Sequence, residues 1–211
     1  MIRSFLAIEI PENQKETVAG YIQELRQVPS KIKWVLPHQT HFTLKFFGSI
    51  TSETVEKISQ TLSLVVSEFP KFHLTLEGIG AFPNLFRPRV IWLGLGGETD
   101  SLRGIHRGID QALSPLGIPK EKRPFQGHLT LGRNKENQIN ESLYRHLSEW
   151  SKEETTPFAV EEVILFQSDL KPTGPVYTKL RAFPLKKDLK IEFDPPTIRG
   201  EKKQVKPKDE S

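Results

Sequence analysis

The sequence predicts an α+β protein with mainly antiparallel sheets. Runs of short alternating segments are interrupted by helical segments instead of alternating with them one for one, the pattern of an α+β chain. The helical segments carry apolar stripes at a helical spacing, with prolines or capping residues at their boundaries. Strands and helices are also divided in a loosely similar way around two copies of one short word, His41-Phe42-Thr43-Leu44 and His128-Leu129-Thr130-Leu131.

Residues 2–10 alternate apolar and polar as a strand does. Pro11 and Glu12 open a helix with the stripe Val18, Tyr21, Ile22 and Leu25, and Pro29 lies beyond its end. A short strand around Ile32–Val35 and a turn carrying Pro37 lead into the first His-Thr strand. Thr51 or Ser52 suits the N-cap of a second helix with Glu53 in its first turn. Its stripe is Val55, Ile58, Leu62, Val65 and Phe69. Strands are expected near 71–78 and 89–95, then a helix through Leu102, Ile105, Ile109, Ala112 and Leu116. After the second His-Thr strand come a shorter helix around Leu143 and Leu147 and strands near 158–167 and 176–183. Residues 1–185 form the expected body. Residues 186–211 are charged and proline-containing, and are expected to be a flexible tail in which Ile191 and Phe193 can still form a short strand.

Composition narrows the function classes. The 211-residue chain has no cysteine, which removes disulfides, cysteine-ligated zinc and a cysteine nucleophile. No apolar run reaches the roughly 18 residues of a membrane span, and no export signal is apparent, so a cytoplasmic protein with no membrane partner is expected. Of the net charge of +4, residues 186–211 carry +2 with eight Lys or Arg against six Asp or Glu, leaving the body at +2. That weak field argues against coating long nucleic acid and permits gripping one end of a strand.

The two words carry the chemistry. Residues two apart on a strand share a face, so each word presents an imidazole beside a hydroxyl while the apolar residues enter a core. Two such strands around one pocket supply two proton-transfer groups titrating near neutrality and two hydroxyl donors for a phosphate ester. A third copy, His73-Leu74-Thr75-Leu76, sits where polar and apolar residues simply alternate, and is read as a solvated sheet face. The first copy runs on into Lys45-Phe46-Phe47-Gly48, and the last follows Arg123-Pro124-Phe125-Gln126-Gly127 and ends in Gly132-Arg133. These neighbours suit a phosphate site.

With these motifs the chain resembles the two-histidine phosphoesterase superfamily and, more narrowly, the RNA 2′,3′-cyclic phosphodiesterases, also called 2′-5′ RNA ligases. Further stretches of resemblance are Phe5 to Pro11, Gly80 to Pro83, Arg87 to Gly94, Leu165 to Ser168 and Tyr177-Thr178, so the likeness spans residues 1 to about 185. Gly127 departs mildly, since a proline often precedes the second histidine in that family. The resemblance implies a two-lobed fold with an approximate two-fold relation, helices outside and a central catalytic cleft. It implies hydrolysis of RNA 2′,3′-cyclic phosphate ends with loss of the 3′ oxygen, leaving a 2′-phosphate. His41 would be the proton donor and His128 the proton acceptor, with Thr43, Thr130 and Arg133 binding the phosphate. The expected partners are RNA ends or nucleotides carrying a 2′,3′-cyclic phosphate. The expected state is a monomer without cofactor. 2′-5′ joining of RNA ends follows from the family name alone.

A metal is the main rival use of the histidines. His38 and His41 are three apart, but no His-Glu-x-x-His word and no cysteine complete a ligand set, so no metal is expected. His106 and His146 fall in helical segments and are read as surface or capping residues. Phe46, Phe82 and Phe125 are the aromatics nearest the motifs, and none is singled out as a base platform. The alternative of a different class is a non-catalytic module that binds a nucleotide or an RNA end. It has no need of a proton-transfer pair.

Overall fold

The computed structural model describes residues 1–136, 138–150, 154–172 and 174–186. Along the chain run β1 (Ile2–Glu9), α1 (Glu12–Arg26), β2 (Lys33–Trp34), β3 (His41–Ile50), α2 (Ser52–Val66), β4 (Phe72–Phe82) and β5 (Val90–Gly97). They are followed by α3 (Thr99–Leu113), β6 (Leu129–Arg133), α4 (Glu141–Ser148), β7 (Phe158–Val160), β8 (Glu162–Lys171) and β9 (Gly174–Pro184). Local chemistry sets several boundaries. The Thr51 hydroxyl accepts from the Thr54 amide at the start of α2, and the Asn140 side chain accepts from the Leu143 amide at the start of α4. Among the described residues no helix is long and apolar enough to cross a membrane.

The two expected lobes are the halves of one nine-stranded sheet of order β7-β4-β5-β6-β3-β1-β8-β9, with β2 pairing β6. Every ladder between these strands is antiparallel. From the centre outward one half reads β3-β1-β8-β9 and the other β6-β5-β4-β7. The unit β1-α1-β3-α2 thereby corresponds to β5-α3-β6-α4. The two motif strands meet at one pair, Phe42 opposite Leu129. These residues hold the same position in their two words, so the approximate two-fold passes through their contact. Continuing that register sets His41 against Thr130 and Thr43 against His128.

Helices α1–α4 pack on one face. Leu6, Ile8, Phe42, Leu44, Leu129 and Leu131 meet Val18, Ile22, Ile58, Leu62, Leu102, Ile105, Leu143 and Leu147 in one core. Phe5, Ala7, Ile164 and Phe166 form a second, smaller cluster on the other face. On the helix side a buried ion pair joins the sheet to α3. The Lys45 ammonium bonds the Asp110 carboxylate of α3 and donates to the Pro119 carbonyl at 2.9 Å. Asp110 also accepts from the Glu121 amide at 3.0 Å. This cluster ties the first motif strand to the loop that leads into the second.

Four expectations need correction. Leu116 is not on the core stripe of α3, because the helix gives way to a 3-10 turn at Ser114–Leu116 and the buried residue is Leu113. Thr75 is buried, not solvated: residues 154 and 155 lie over it, its hydroxyl donates to Glu154, and the Leu76 amide donates to the Thr155 hydroxyl at 2.9 Å. His106 is not a surface or capping residue; it is 6% exposed and stacks on Phe125 with ring centroids 4.1 Å apart. On the second helix Val66, not Val65, is the fully buried residue of the last turn. His73 is solvent-facing as expected, beside Glu98. Leu185 is buried and the Lys186 amide donates to the Phe69 carbonyl at 2.8 Å. The tail expected over 186–211, with Ile191 and Phe193, otherwise lies outside the described residues.

Removing one member of the buried ion pair leaves the other charge uncompensated. Lys45→Met is expected to cost about 3–5 kcal/mol, a fall in melting temperature of about 10 °C for a chain of this size. The double variant Lys45→Met with Asp110→Leu is expected to recover much of that loss. Thermal melts followed by circular dichroism check both.

Candidate active site

Strict alternation along β3 and β6 would build a different site from the one observed. It would place Lys45 on the face of His41 and Thr43, and Arg133 on the face opposite His128 and Thr130. Each word instead carries one extra residue against the neighbouring strand, and β3 carries a second further along, at Phe47. Leu6 pairs with Lys45 but Ala7 pairs with Thr43, so Leu44 is bulged. Ile91 pairs with Gly132 but Trp92 pairs with Thr130, so Leu131 is bulged. The bulges at Leu44 and Leu131 fall at the same position of the two words. Each sends two successive residues toward the helices and restores the cavity face one residue later. Lys45 thus enters the interior to meet Asp110, and Phe46 and Arg133 return to the face of the histidines. Gly132 sits where any side chain would press on Ile32 and the Trp34 ring, with a Cβ at 2.6 and 2.8 Å from them. Its small size lets β2 lie along β6.

The outcome is a cavity of about 550 Å³ on the face away from the helices. His41, Thr43, His128, Thr130 and Arg133 all line it. The five residues singled out in the sequence are therefore brought together, and His73 lies apart from them. The aromatics divide. Phe46 lines the cavity and is 63% exposed, Phe82 lies edge-on to His128, and Phe125 lies against His106. His38 falls in a 3-10 turn, Pro37–Gln39, that leads into β3. His146 lies 3.4 Å from a Glu24 carboxylate oxygen. Among the described residues no group of three His, Asp or Glu side chains could hold a metal ion.

The two imidazoles are oriented alike. Nδ1 of His41 lies 2.8 Å from the Gln39 carbonyl and Nδ1 of His128 lies 2.8 Å from the Gln126 carbonyl. A carbonyl only accepts, so Nδ1 carries the proton in both rings and Nε2 is the nitrogen available to the cavity. Each ring is also framed by aromatics. His41 stacks on Phe5 at 4.8 Å and meets the edge of Tyr177 at 5.2 Å. His128 meets Phe82 at 4.9 Å and Trp92 at 6.1 Å. Burial among these rings lowers the pKa of His41 from 6.5 to about 4, with the Gln39 carbonyl and Glu9 acting against it and Arg133 with it. Burial lowers His128 too, opposed by the Gln126 carbonyl and aided by Arg133. Burial raises the Tyr177 phenol, so it stays a hydrogen-bond donor at neutral pH.

Sequence reasoning missed the framing residues Phe5, Trp92 and Tyr177 and two further cations on the cavity wall, Arg3 and Lys33. One signal was available. Gln39 and Gln126 stand two residues before the cavity histidines, whereas Lys71 holds that place before His73. The bond is to the backbone carbonyl, so the glutamine marks the shared turn without being required by it. Gly127 also has a packing reason. A Cβ there would lie 2.8 Å from Leu95 and 3.0 Å from Leu102.

The depressed pKa of His41 has a measurable sign. The unfolded chain takes up this proton first, so the stability from burying neutral His41 is complete above pH 6.5 and is lost as pH falls from 6.5 toward about 4. NMR titration of the free protein is expected to find His41 near that value. Adding inorganic phosphate is expected to raise it, because an anion beside Nε2 favours the imidazolium.

The profile of the 2′-5′ RNA ligase superfamily matches residues 13–172. The chain is 35% identical over 182 residues to the RNA 2′,3′-cyclic phosphodiesterase of Archaeoglobus fulgidus, covering 86% of this chain and 99% of that one. It is 31% identical over 184 residues to the protein of the same name from Methanothermobacter thermautotrophicus, covering 87% and 99%. A crystal structure of a Thermus thermophilus protein superposes with a TM-score of 0.72 at 28% identity, over 89% of this chain and 100% of that one. E. coli LigT, crystallised with 3′-AMP, shares the fold with a TM-score of 0.71 at 24% identity, over 88% and 99%. The paired words, their common cavity and a profile match over most of the chain agree: this chain belongs to the 2′-5′ RNA ligase superfamily.

Proposed function

We propose that this protein is an RNA 2′,3′-cyclic phosphodiesterase that opens the cyclic phosphate at an RNA end by two-histidine acid–base catalysis without a metal. The observation that carries the reading is the pair of imidazoles in one cavity, both held through Nδ1 so that Nε2 serves the substrate. The names of the Archaeoglobus and Methanothermobacter relatives support the substrate class. A binding module would not require this matched pair.

In this reading water attacks phosphorus in line with the departing ribose oxygen. His128 Nε2 accepts the proton of the water, and His41 Nε2–H donates to O3′ as it leaves, so the product carries a 2′-phosphate. Thr43 and Thr130 donate to the non-bridging oxygens as charge grows on them. Arg133, returned to this face by the Leu131 bulge, neutralises the phosphate. The buried aromatic frame keeps both rings neutral in the free protein, which suits the base. The acid must be charged, and the bound phosphate anion supplies the field that protonates His41. A 5′-hydroxyl in the place of water would give the 2′-5′ joining for which the superfamily is named. Both histidines come from one chain, which supports a monomer as the working unit, and an RNA-end substrate supports action in the cytoplasm.

His41→Ala and His128→Ala are each expected to lower kcat by about 10²–10⁴, while His73→Ala stays near wild type. Excess EDTA is expected to leave turnover of a 2′,3′-cyclic mononucleotide unchanged. A loss restored by one divalent ion would refute the metal-free reading. Phosphorus NMR of the product is expected to show a 2′-phosphate, and a predominantly 3′-phosphate product would exchange the roles of the two histidines. The profile of kcat/KM against pH reports the free protein. It is expected to peak below pH 6.5, with the alkaline limb set by loss of the His41 proton, and the kcat profile is expected to lie at higher pH.

A further inference from the structure

The tip of the β4–β5 hairpin presents an aromatic pair that the catalytic reading does not use. Phe86 is 70% exposed, yet it stacks on Tyr144 of α4 with centroids 4.9 Å apart and planes at 27°. The tip is a built turn: the Asn84 carboxamide accepts from the amides of Phe86 at 3.1 Å and Arg87 at 3.0 Å. It is joined to the end of the second motif strand. Val90 pairs with Arg133, the Arg89 carbonyl accepts from the Asn134 amide at 2.9 Å, and Lys33 pairs with Arg133 on the other side. Lys33 and Arg133 line the cavity, and two further cations next to this junction are exposed, Lys135 two residues beyond Arg133 and Arg87 three residues before Val90. With Arg87 three residues from Val90, the tip lies within about 10 Å of Arg133 along the strand direction.

An exposed ring near cations at and beside a phosphate cavity matches the chemistry of a single-stranded nucleic acid, whose bases stack and whose phosphates need neutralising. We propose that the hairpin tip is a platform for the RNA strand upstream of the reacting end. A base stacks on the Phe86–Tyr144 pair, and the intervening phosphates lie along Lys33, Arg133, Lys135 and Arg87. The platform rests on the phosphodiesterase reading for its direction, since the RNA end is in the cavity. It explains how a chain with a weak overall field grips one end of an RNA: a few local cations and one stacked base hold the strand. A strand already paired in a duplex cannot offer its bases to the tip.

The test uses fluorescence anisotropy of the full chain with a labelled single-stranded RNA of about ten nucleotides ending in a 2′-phosphate, which is bound but not turned over. Phe86→Ala is expected to weaken this RNA about tenfold, the scale of one lost base stack, and to leave turnover of a 2′,3′-cyclic mononucleotide unchanged. Arg87→Ala and Lys135→Ala are each expected to lower the slope of log affinity against log salt by about 0.7. Equal affinity of wild type and Phe86→Ala for the RNA overturns the proposal, as does equal competition by a duplex of the same sequence. Loss of self-association in Phe86→Ala, seen by sedimentation with RNA affinity unchanged, would assign the tip to a second copy and overturn it as well. If wild type binds the RNA in a Phe86-dependent way but does not hydrolyse the cyclic mononucleotide, the platform stands and the catalytic reading falls.

Discussion

Phe42 and Leu129 form the one pair at which the two motif strands are directly joined, and the site depends on that contact. Both side chains are fully buried, among residues contributed by the helices. Their register places each histidine across from the other word's threonine, and a shift of one residue would turn every polar group of one strand into the core. The catalytic face and the hydrophobic core are two sides of the same alternation. Burial of Phe42 and Leu129 is therefore what aims His41, Thr43, His128 and Thr130 outward.

The two bulges refine that alternation. A regular strand offers a residue to the cavity at every second position, which gives the histidine and the threonine but not the arginine. The extra residue at Leu131 returns Arg133 to the face where a phosphate would sit, and the matching bulge at Leu44 returns Phe46. The halves thus share a frame and differ in what they present at the equivalent point, a cation on one side and an aromatic ring on the other. Lys45, displaced inward by its bulge, is held by Asp110 and the Pro119 carbonyl, and so links the first motif strand to the loop preceding His128.

In the proposed mechanism one kind of environment serves two opposite roles. Phe5 and Tyr177 at one histidine, and Phe82 and Trp92 at the other, exclude water and favour neutral rings. For a base this is direct activation. For an acid it makes protonation conditional on an anion beside the ring, so the charged form is assembled when phosphate is present. The same two carbonyl bonds keep Nδ1 protonated throughout, so only Nε2 changes state.

Much of this was written in local sequence. Hydrophobic periodicity marked the helices, because a stripe such as Val18, Ile22 and Leu25 must face a core whatever lies opposite. The His-x-Thr-Leu words identified the chemistry, because side chains two apart share a face on any strand. What periodicity could not decide was anything set by a partner distant in the chain. Thr75 is buried because residues 154 and 155 cross over it, and His106 because Phe125 stacks on it. Leu116 falls outside the core because the helix tightens into a 3-10 turn before reaching it. The joining of two sheets into one, the bulges that aim Arg133 and bury Lys45, and the aromatic walls around the histidines all arise from pairings between remote strands. Sequence by itself determined which residues can do acid–base chemistry on a phosphate ester; the tertiary register decided which of them face one another, because strand pairing alone sets which side of the sheet each residue occupies.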